Sequence, residues 1–224
     1  MRAKKEIRFR LFAVFMAVLL FYAWTVLGSP DDQPVLRYYW VKAEKAFTAS
    51  DSALGSRDYA IYVRSFYRHI SRKGKTTHTD TSRVVFYYSA GQLDSQVTKT
   101  EDRVKERPID ISLPNLFKNE YVLSFFPNDT GGKELAIAFD HRSASASEPS
   151  GTAIIDRNSG LLRWLYTHYP NKIGYKRYSR SFRLTEHDGY VSPDSVWEVG
   201  TREGVFTNEY YRIETKIDSL VIVR

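Results

Sequence analysis

From Val205 to Val223 the chain alternates. Tyr211, Ile213, Thr215 and Ile217 fall on one side of an extended backbone, and Arg212, Glu214, Lys216 and Asp218 fall on the other. Period two is the strand period, and a largely apolar side opposite a charged one means a sheet with one covered face and one wet face. Turn signals precede this segment at Asp156-Arg157-Asn158-Ser159-Gly160, at Glu186-His187-Asp188-Gly189 and at Glu203-Gly204. The stretches between them, Gly151–Ile155, Leu161–Tyr169, Tyr178–Leu184 and Tyr190–Val199, read as strands, with Pro193 acceptable at a sheet edge. The last third of the chain therefore predicts an antiparallel meander.

The earlier part adds one helix and more strand. From Val35 to Leu54 the apolar positions Leu36, Tyr39, Trp40, Ala43, Ala46 and Phe47 follow a 3.6-residue period. Pro34 suits the first turn of that helix and Gly55 its end. Tyr59–Ile70 alternates as a strand, Gly74 marks a turn, Arg83–Ser89 reads as a short strand, and Ala90-Gly91 turns again. Residues 92–120 are polar and contain Pro108 and Pro114, which predicts a strand edge followed by a loop. Glu120–Phe126 reads as a short strand or helical turn, Asn128–Gly132 as a turn, Glu134–His141 as a weak strand, and residues 143–150 as a serine-rich connector. Strands in sequence with one helix before them make an α+β class: a strongly curved antiparallel sheet with a single packing helix.

The N-terminus is of another kind. Arg2, Lys4, Lys5, Arg8 and Arg10 stand against the single acid Glu6, and residues 11–27 are apolar except for Thr25. Basic then apolar is the layout of a signal or anchor helix, with the positive end held in the cytoplasm and the remainder translocated. Val26-Leu27-Gly28 is an acceptable small-residue cleavage pattern, and Tyr22 and Trp24 would suit the outer interface if the segment stays in place. The expected division is a signal peptide or uncleaved inner-membrane anchor at 1–28 and one exported, β-rich domain at 29–224. The expected location is the periplasm or cell envelope.

Charge and cysteine content exclude several function classes. The chain carries 33 basic and 26 acidic residues, a net charge of +7, of which the first 28 residues supply +4. The remaining domain has no basic stripe fit to neutralise a nucleic-acid backbone. With no cysteine there is no disulfide, thiolate nucleophile or zinc–thiolate site. His69, His78, His141, His168 and His187 include no pair at a metal-binding spacing. Asp156-x-Asn158-x-Gly160 begins like a calcium loop, but Leu161, Leu162 and Trp164 follow at once, so it reads as a hairpin turn. No nucleophile elbow, phosphate loop or dinucleotide fingerprint is present, and no catalytic residue, metal or cofactor is assigned.

Aromatic residues are 15% of the chain, with 16 tyrosines. Phe86, Tyr88, Trp164, Tyr166, Phe182, Trp197 and Tyr211 are the candidate ligand-binding residues, either lining an apolar cleft between sheet and helix or packing as ordinary core.

Two stretches carry a resemblance. "GTAIIDRNSGLLRWLYTHY" and "YSRSFRLTEHDGYVSPDSVWEV", followed by a long last strand, resemble the unclosed half-barrel of bacterial lipoprotein carriers of the Lol type. In that family a strand ending in Ile-Asp, a short turn and a strand leading to x-Asp-Gly-x-x-x-Pro recur. The resemblance implies an apolar-ligand cleft and a non-catalytic envelope protein that binds a lipid, an acyl chain or a lipoprotein. The alternative is a membrane-tethered structural or interaction domain whose core is filled by its own aromatics.

Overall fold

The computed structural model describes residues 33–100, 109–117, 121–126, 132–141, 148–187, 190–204 and 208–223. The expected signal or anchor, the turn at 128–131 and most of the serine-rich connector lie outside these residues. Among the described residues no helix is long and apolar enough to cross a membrane.

Among the described residues, one helix and ten strands follow in order: α1 (Gln33–Leu54), β1 (Asp58–Ile70), β2 (Thr76–Ser89), β3 (Gln92–Thr100), β4 (Tyr121–Phe125), β5 (Glu134–His141), β6 (Ser150–Asp156), β7 (Leu162–His168), β8 (Tyr175–His187), β9 (Tyr190–Arg202) and β10 (Glu209–Val223). All ten form one sheet in the order β3-β2-β1-β10-β9-β8-β7-β6-β5-β4. Every pairing is antiparallel. β3 and β4 form its two free edges, so the sheet is an unclosed half-barrel. The last strand enters beside the first: Val63 lies opposite Ile217 and Ser65 opposite Thr215.

Consecutive in sequence, β3 and β4 sit at opposite edges, so their connection must travel the width of the sheet. Its described part, residues 109–117, has no regular structure, yet it buries Ile111 and Leu116. Phe117 packs on Trp40 with ring centroids 5.3 Å apart. The proline-containing loop expected from the sequence is thus a strap across the inner face.

β2 is longer than the expected Arg83–Ser89. Its first half, Thr76 to Ser82, pairs with β1 from Ile70 back to Ser65. The half is polar and largely exposed, and its threonines are β-branched and extend readily.

Helix α1 lies on the inner face. Leu36, Trp40, Ala43, Ser50 and Leu54 are buried, one stripe of a helix. The first turn is fixed to the edge strand, Gln33 Nε2 donating to the Leu123 carbonyl at 2.8 Å. Near the other end, the Val191 amide donates to Ser50 Oγ at 2.6 Å. Midway, Lys42 Nζ donates to the carbonyls of Arg157 and Asn158 at 2.9 and 2.6 Å, closing the β6–β7 turn onto the helix. Under the helix, Leu135, Ile137, Ile155, Leu165 and Phe182 are fully buried, each on the inner face of its strand. Burying a side chain of this size contributes roughly 1.5–3 kcal/mol.

Candidate functional site

The register divides the seven candidate aromatics between the two faces. Phe86 lies opposite Ile61, and Tyr88 lies opposite Tyr59, on the inner face. Phe182 lies opposite Leu165 and Val196, also inner, and Tyr211 lies opposite Gly200 beside them. Trp164, Tyr166 and Trp197 point the other way: Tyr166 and Trp197 are both register partners of Ser181. The seven therefore do not line one cleft.

The inner four belong to the protein's own packing. Phe86 and Phe182 are buried, and Tyr88 stacks on Tyr59 with centroids 4.5 Å apart and planes 9° apart. Burial, with Tyr88 and Asp51 nearby, pushes the Tyr59 phenol up to about 12. Beyond the helix the inner face turns from aliphatic to a polar–aromatic network. Tyr211 Oη donates to Glu198 Oε1 at 2.7 Å and Tyr178 Oη to Glu198 Oε2 at 3.0 Å. Burial and the adjacent Glu198 carboxylate raise the pKa of both phenols, which keeps them as donors. Each Glu198 oxygen thus accepts a hydrogen bond, which is the arrangement of a structural acceptor. The Tyr211 ring lies against Gly200, where a Cβ would meet it at 2.4 Å.

Arg180, also inner and 5% exposed, holds the strap. Its Nη1 donates to Asp110 Oδ2 at 3.0 Å and to the Ser112 carbonyl at 3.2 Å, and its Nη2 donates to the Asp110 carbonyl at 2.5 Å. Between strap and β8 remains a cavity of about 310 Å³, lined by Asp110, Asn115, Glu148, Tyr169, Lys172 and Arg180 among others. Its lining is of mixed charge, unlike an acyl-chain site.

The outer face carries an apolar groove. It has a volume of about 570 Å³ and is lined by Phe126, Ala136, Thr152, Ile154, Trp164, Tyr166 and Ser181 on the outer side. Ala136, Thr152 and Ser181 are small and form a floor across β5, β6 and β8. Phe126, Ile154, Trp164 and Tyr166 rise beside them. Trp164 is 39% and Tyr166 48% exposed. Trp197 stacks on Trp164 with centroids 5.5 Å apart and planes 14° apart, the two rings meeting over β8. Volumes of roughly 300–1,000 Å³ with an apolar lining are those of small-molecule sites.

The geometry at Asp156 decides between the two readings of its turn. Asp156 Oδ1 accepts from the amides of Asn158 and Ser159 at 3.0 and 2.8 Å and from Ser159 Oγ at 2.9 Å, a hairpin turn and not a calcium loop. His69 Nε2 and His78 Nε2 both approach the Asp80 carboxylate, at 3.1 and 2.6 Å. Among the described residues no three His, Asp or Glu side chains form a metal cluster.

The sequence did not separate the outer groove from the inner core. Trp164 and Tyr166 are two residues apart and share a face opposite to Leu165, so the signal was present. What was missing was the cross-strand placement of Ala136 and Thr152 that leaves a hollow beside them.

Neither a family model nor a curated protein matches this sequence. Among solved structures, the chain is similar to a LolA superfamily protein from Nitrosomonas europaea, with 7% identity over 81% of this chain and 94% of that chain, at a TM-score of 0.37. It is similar to a domain named as an outer membrane lipoprotein-sorting protein from Vibrio parahaemolyticus, with 10% identity over 80% of this chain and 93% of that one, at a TM-score of 0.41. It is also similar to a chain of the MucA/MucB complex of Pseudomonas aeruginosa, with 10% identity over 81% of this chain and 99% of that one, at a TM-score of 0.21. The half-barrel itself rests on the strand order and register described above.

Proposed function

We propose that this is a non-catalytic protein of the cell envelope that buries an acyl chain, free or lipid-borne, in the outer-face groove between Phe126 and Trp164. The observation that carries this reading is the groove itself: aromatic walls, a small-residue floor and about 570 Å³ of space on a sheet face that strand alternation would otherwise leave polar. The basic-then-apolar residues 1–28 support export. Binding needs no covalent step: each methylene removed from water contributes about 0.8 kcal/mol, and Trp164 and Tyr166 supply flat apolar walls.

The test is native mass spectrometry of the protein purified from the envelope without added ligand, followed by lipid extraction. A bound lipid or acylated peptide near one-to-one supports the reading and names the ligand class. A ligand-free mass together with no uptake of an offered fluorescent fatty acid overturns it.

A second reading has its own observation. Trp40, Tyr121, Phe139, Leu165 and Phe182 fill the space between sheet and helix at 0–2% exposure. A half-barrel filled in this way also suits a tethered interaction domain, and the ligand-free outcome would favour it.

A further inference from the structure

The structure constrains which face of the domain can lie near a membrane. The first turn of α1 is bound to the free edge strand β4: Gln33 Nε2 donates to the Leu123 carbonyl at 2.8 Å and Arg37 Nη2 to the Tyr121 carbonyl at 3.5 Å. The chain therefore reaches the domain at the β4 edge. Residues 28–32 are all that separate Leu27, the end of the apolar run, from Gln33. Fully extended, they span at most about 20 Å at roughly 3.3–3.6 Å per residue.

That reach selects one region of the surface. Strands are about 4.8 Å apart, so the opposite edge, β3, lies roughly 40 Å away along the sheet. The groove lies at the near side: Phe126 directly follows β4, and Ala136, Ile154 and Trp164 stand on the next three strands. Because β4 is a free edge, a tether arriving there can pass to the outer face without crossing another strand.

The chemistry of the region fits a bilayer interface. Tryptophan and tyrosine settle at the headgroup level, apolar ring inward and polar atom toward water. Trp164, Tyr166 and Trp197 are grouped on this face, and Val199 adds apolar surface at 45% exposure. The outer row of β8 reads Arg177, Ser179, Ser181, Arg183, with an arginine on either side of the groove residue Ser181. Arg183 is paired with Asp194, and Arg177 is exposed. The outer acids of β5 are Asp140, which accepts a hydrogen bond from Ser150, and Glu134, which is exposed two residues before the groove residue Ala136.

We propose that the outer aromatic patch, Phe126, Trp164, Tyr166 and Trp197, rests on the outer surface of the membrane that residues 11–27 enter, so that the groove draws its acyl chains from that leaflet. This inference rests on the acyl-binding reading and on an uncleaved residue 1–28 segment. A protein held in this way samples lipid without leaving the bilayer.

The experiment uses the full chain reconstituted in phosphatidylcholine–phosphatidylglycerol vesicles, with and without bromine on the acyl chains. The four tryptophans are Trp24, Trp40, Trp164 and Trp197. Brominated lipid is expected to quench wild-type fluorescence at least about twofold more than that of the Trp164→Phe/Trp197→Phe double variant, which keeps both rings. Inserting a long Gly/Ser spacer between Asp31 and Asp32 is expected to reduce that increment. Equal quenching of wild type and double variant, with only the remaining tryptophans reporting, overturns the inference. So does a chemically cross-linked dimer whose patch is shielded from bromine. Uptake of a fluorescent fatty acid by the full chain held in amphipol is read separately. Uptake without the quenching increment removes the docking and leaves the acyl-binding reading; quenching without uptake removes the acyl-binding reading.

Discussion

Trp164 on β7 and Trp197 on β9 stack across the intervening strand, ring planes 14° apart and centroids at 5.5 Å, on the face of the sheet opposite the helix. Two large apolar rings on this face are not required by the core, because Leu165, Phe182 and Val196 fill the other side of the same strands. The pair therefore forms part of a surface, and the hollow beside it is open to solvent.

Trp164→Ala should separate binding from stability. An aromatic pair is worth about 0.5–1.5 kcal/mol beyond area burial, so the fold should lose about 1 kcal/mol in urea unfolding. A chain that loses contact with two or three methylenes forfeits about 2 kcal/mol, so affinity for a fluorescent fatty acid should fall by roughly ten- to fiftyfold.

Phe182→Ala should do the reverse. Its side chain is fully buried between Leu165 and Val196, and such truncations cost about 3–5 kcal/mol. The expected result is a large fall in the urea midpoint, measured by circular dichroism. An unchanged midpoint would mean that the inner face is not the core described.

Gly200→Ala tests the polar–aromatic end of the inner face. The added Cβ would meet the Tyr211 ring at 2.4 Å, so the ring must shift and its hydrogen bond to Glu198 with it. The cost should be about 1–3 kcal/mol, by overpacking. Tyr211→Phe, which keeps the ring and removes only the hydroxyl, should cost about 1 kcal/mol more when Gly200 is intact than when it is already alanine.

The pH profile should have two shoulders. Burial holds the phenols of Tyr59, Tyr88 and Tyr169 above their ordinary value, Tyr59 at about 12. Above pH 10 the unfolded chain releases these protons first, so the stability they contribute is complete below about pH 10 and lost as pH rises toward 12. On the acid side, the Ser159 backbone amide lowers Asp156 and the Arg68 hydrogen bond lowers Glu214. Burial opposes the shift at Asp194, but hydrogen bonds from Arg183 and Thr185 outweigh it. These carboxylates stabilise above their unfolded values near 4, and the contribution is lost as pH falls through the lower folded values. Thermal unfolding across pH 2–12, with phenolate absorbance followed at the alkaline end, checks both limbs.

Most of the architecture was legible because it is written in short-range patterns. The helix declares itself by Leu36, Trp40 and Ala43, and the last strand by the alternation from Tyr211 to Ile217. The strap did not, because crossing a sheet leaves no period: Ile111 and Leu116 are buried by what lies beneath them, while Pro108 and Pro114 only show that no strand continues. The pairing of β10 with β1, which sends β3 and β4 to opposite edges, is a long-range fact with no local signal. For the same reason the candidate aromatics could be picked but not sorted by face: Tyr166 and Phe182 look alike in sequence and lie on opposite sides of the sheet.

The most direct measurement is fatty-acid uptake by Thr152→Trp in the protein as purified from the envelope. Thr152 forms the groove floor opposite Tyr166, so a tryptophan there fills the hollow from the solvent side and leaves the core beneath untouched. Uptake should be lost while the urea midpoint stays near that of the wild type. Undiminished uptake by a stable Thr152→Trp protein would place the ligand outside the outer-face groove.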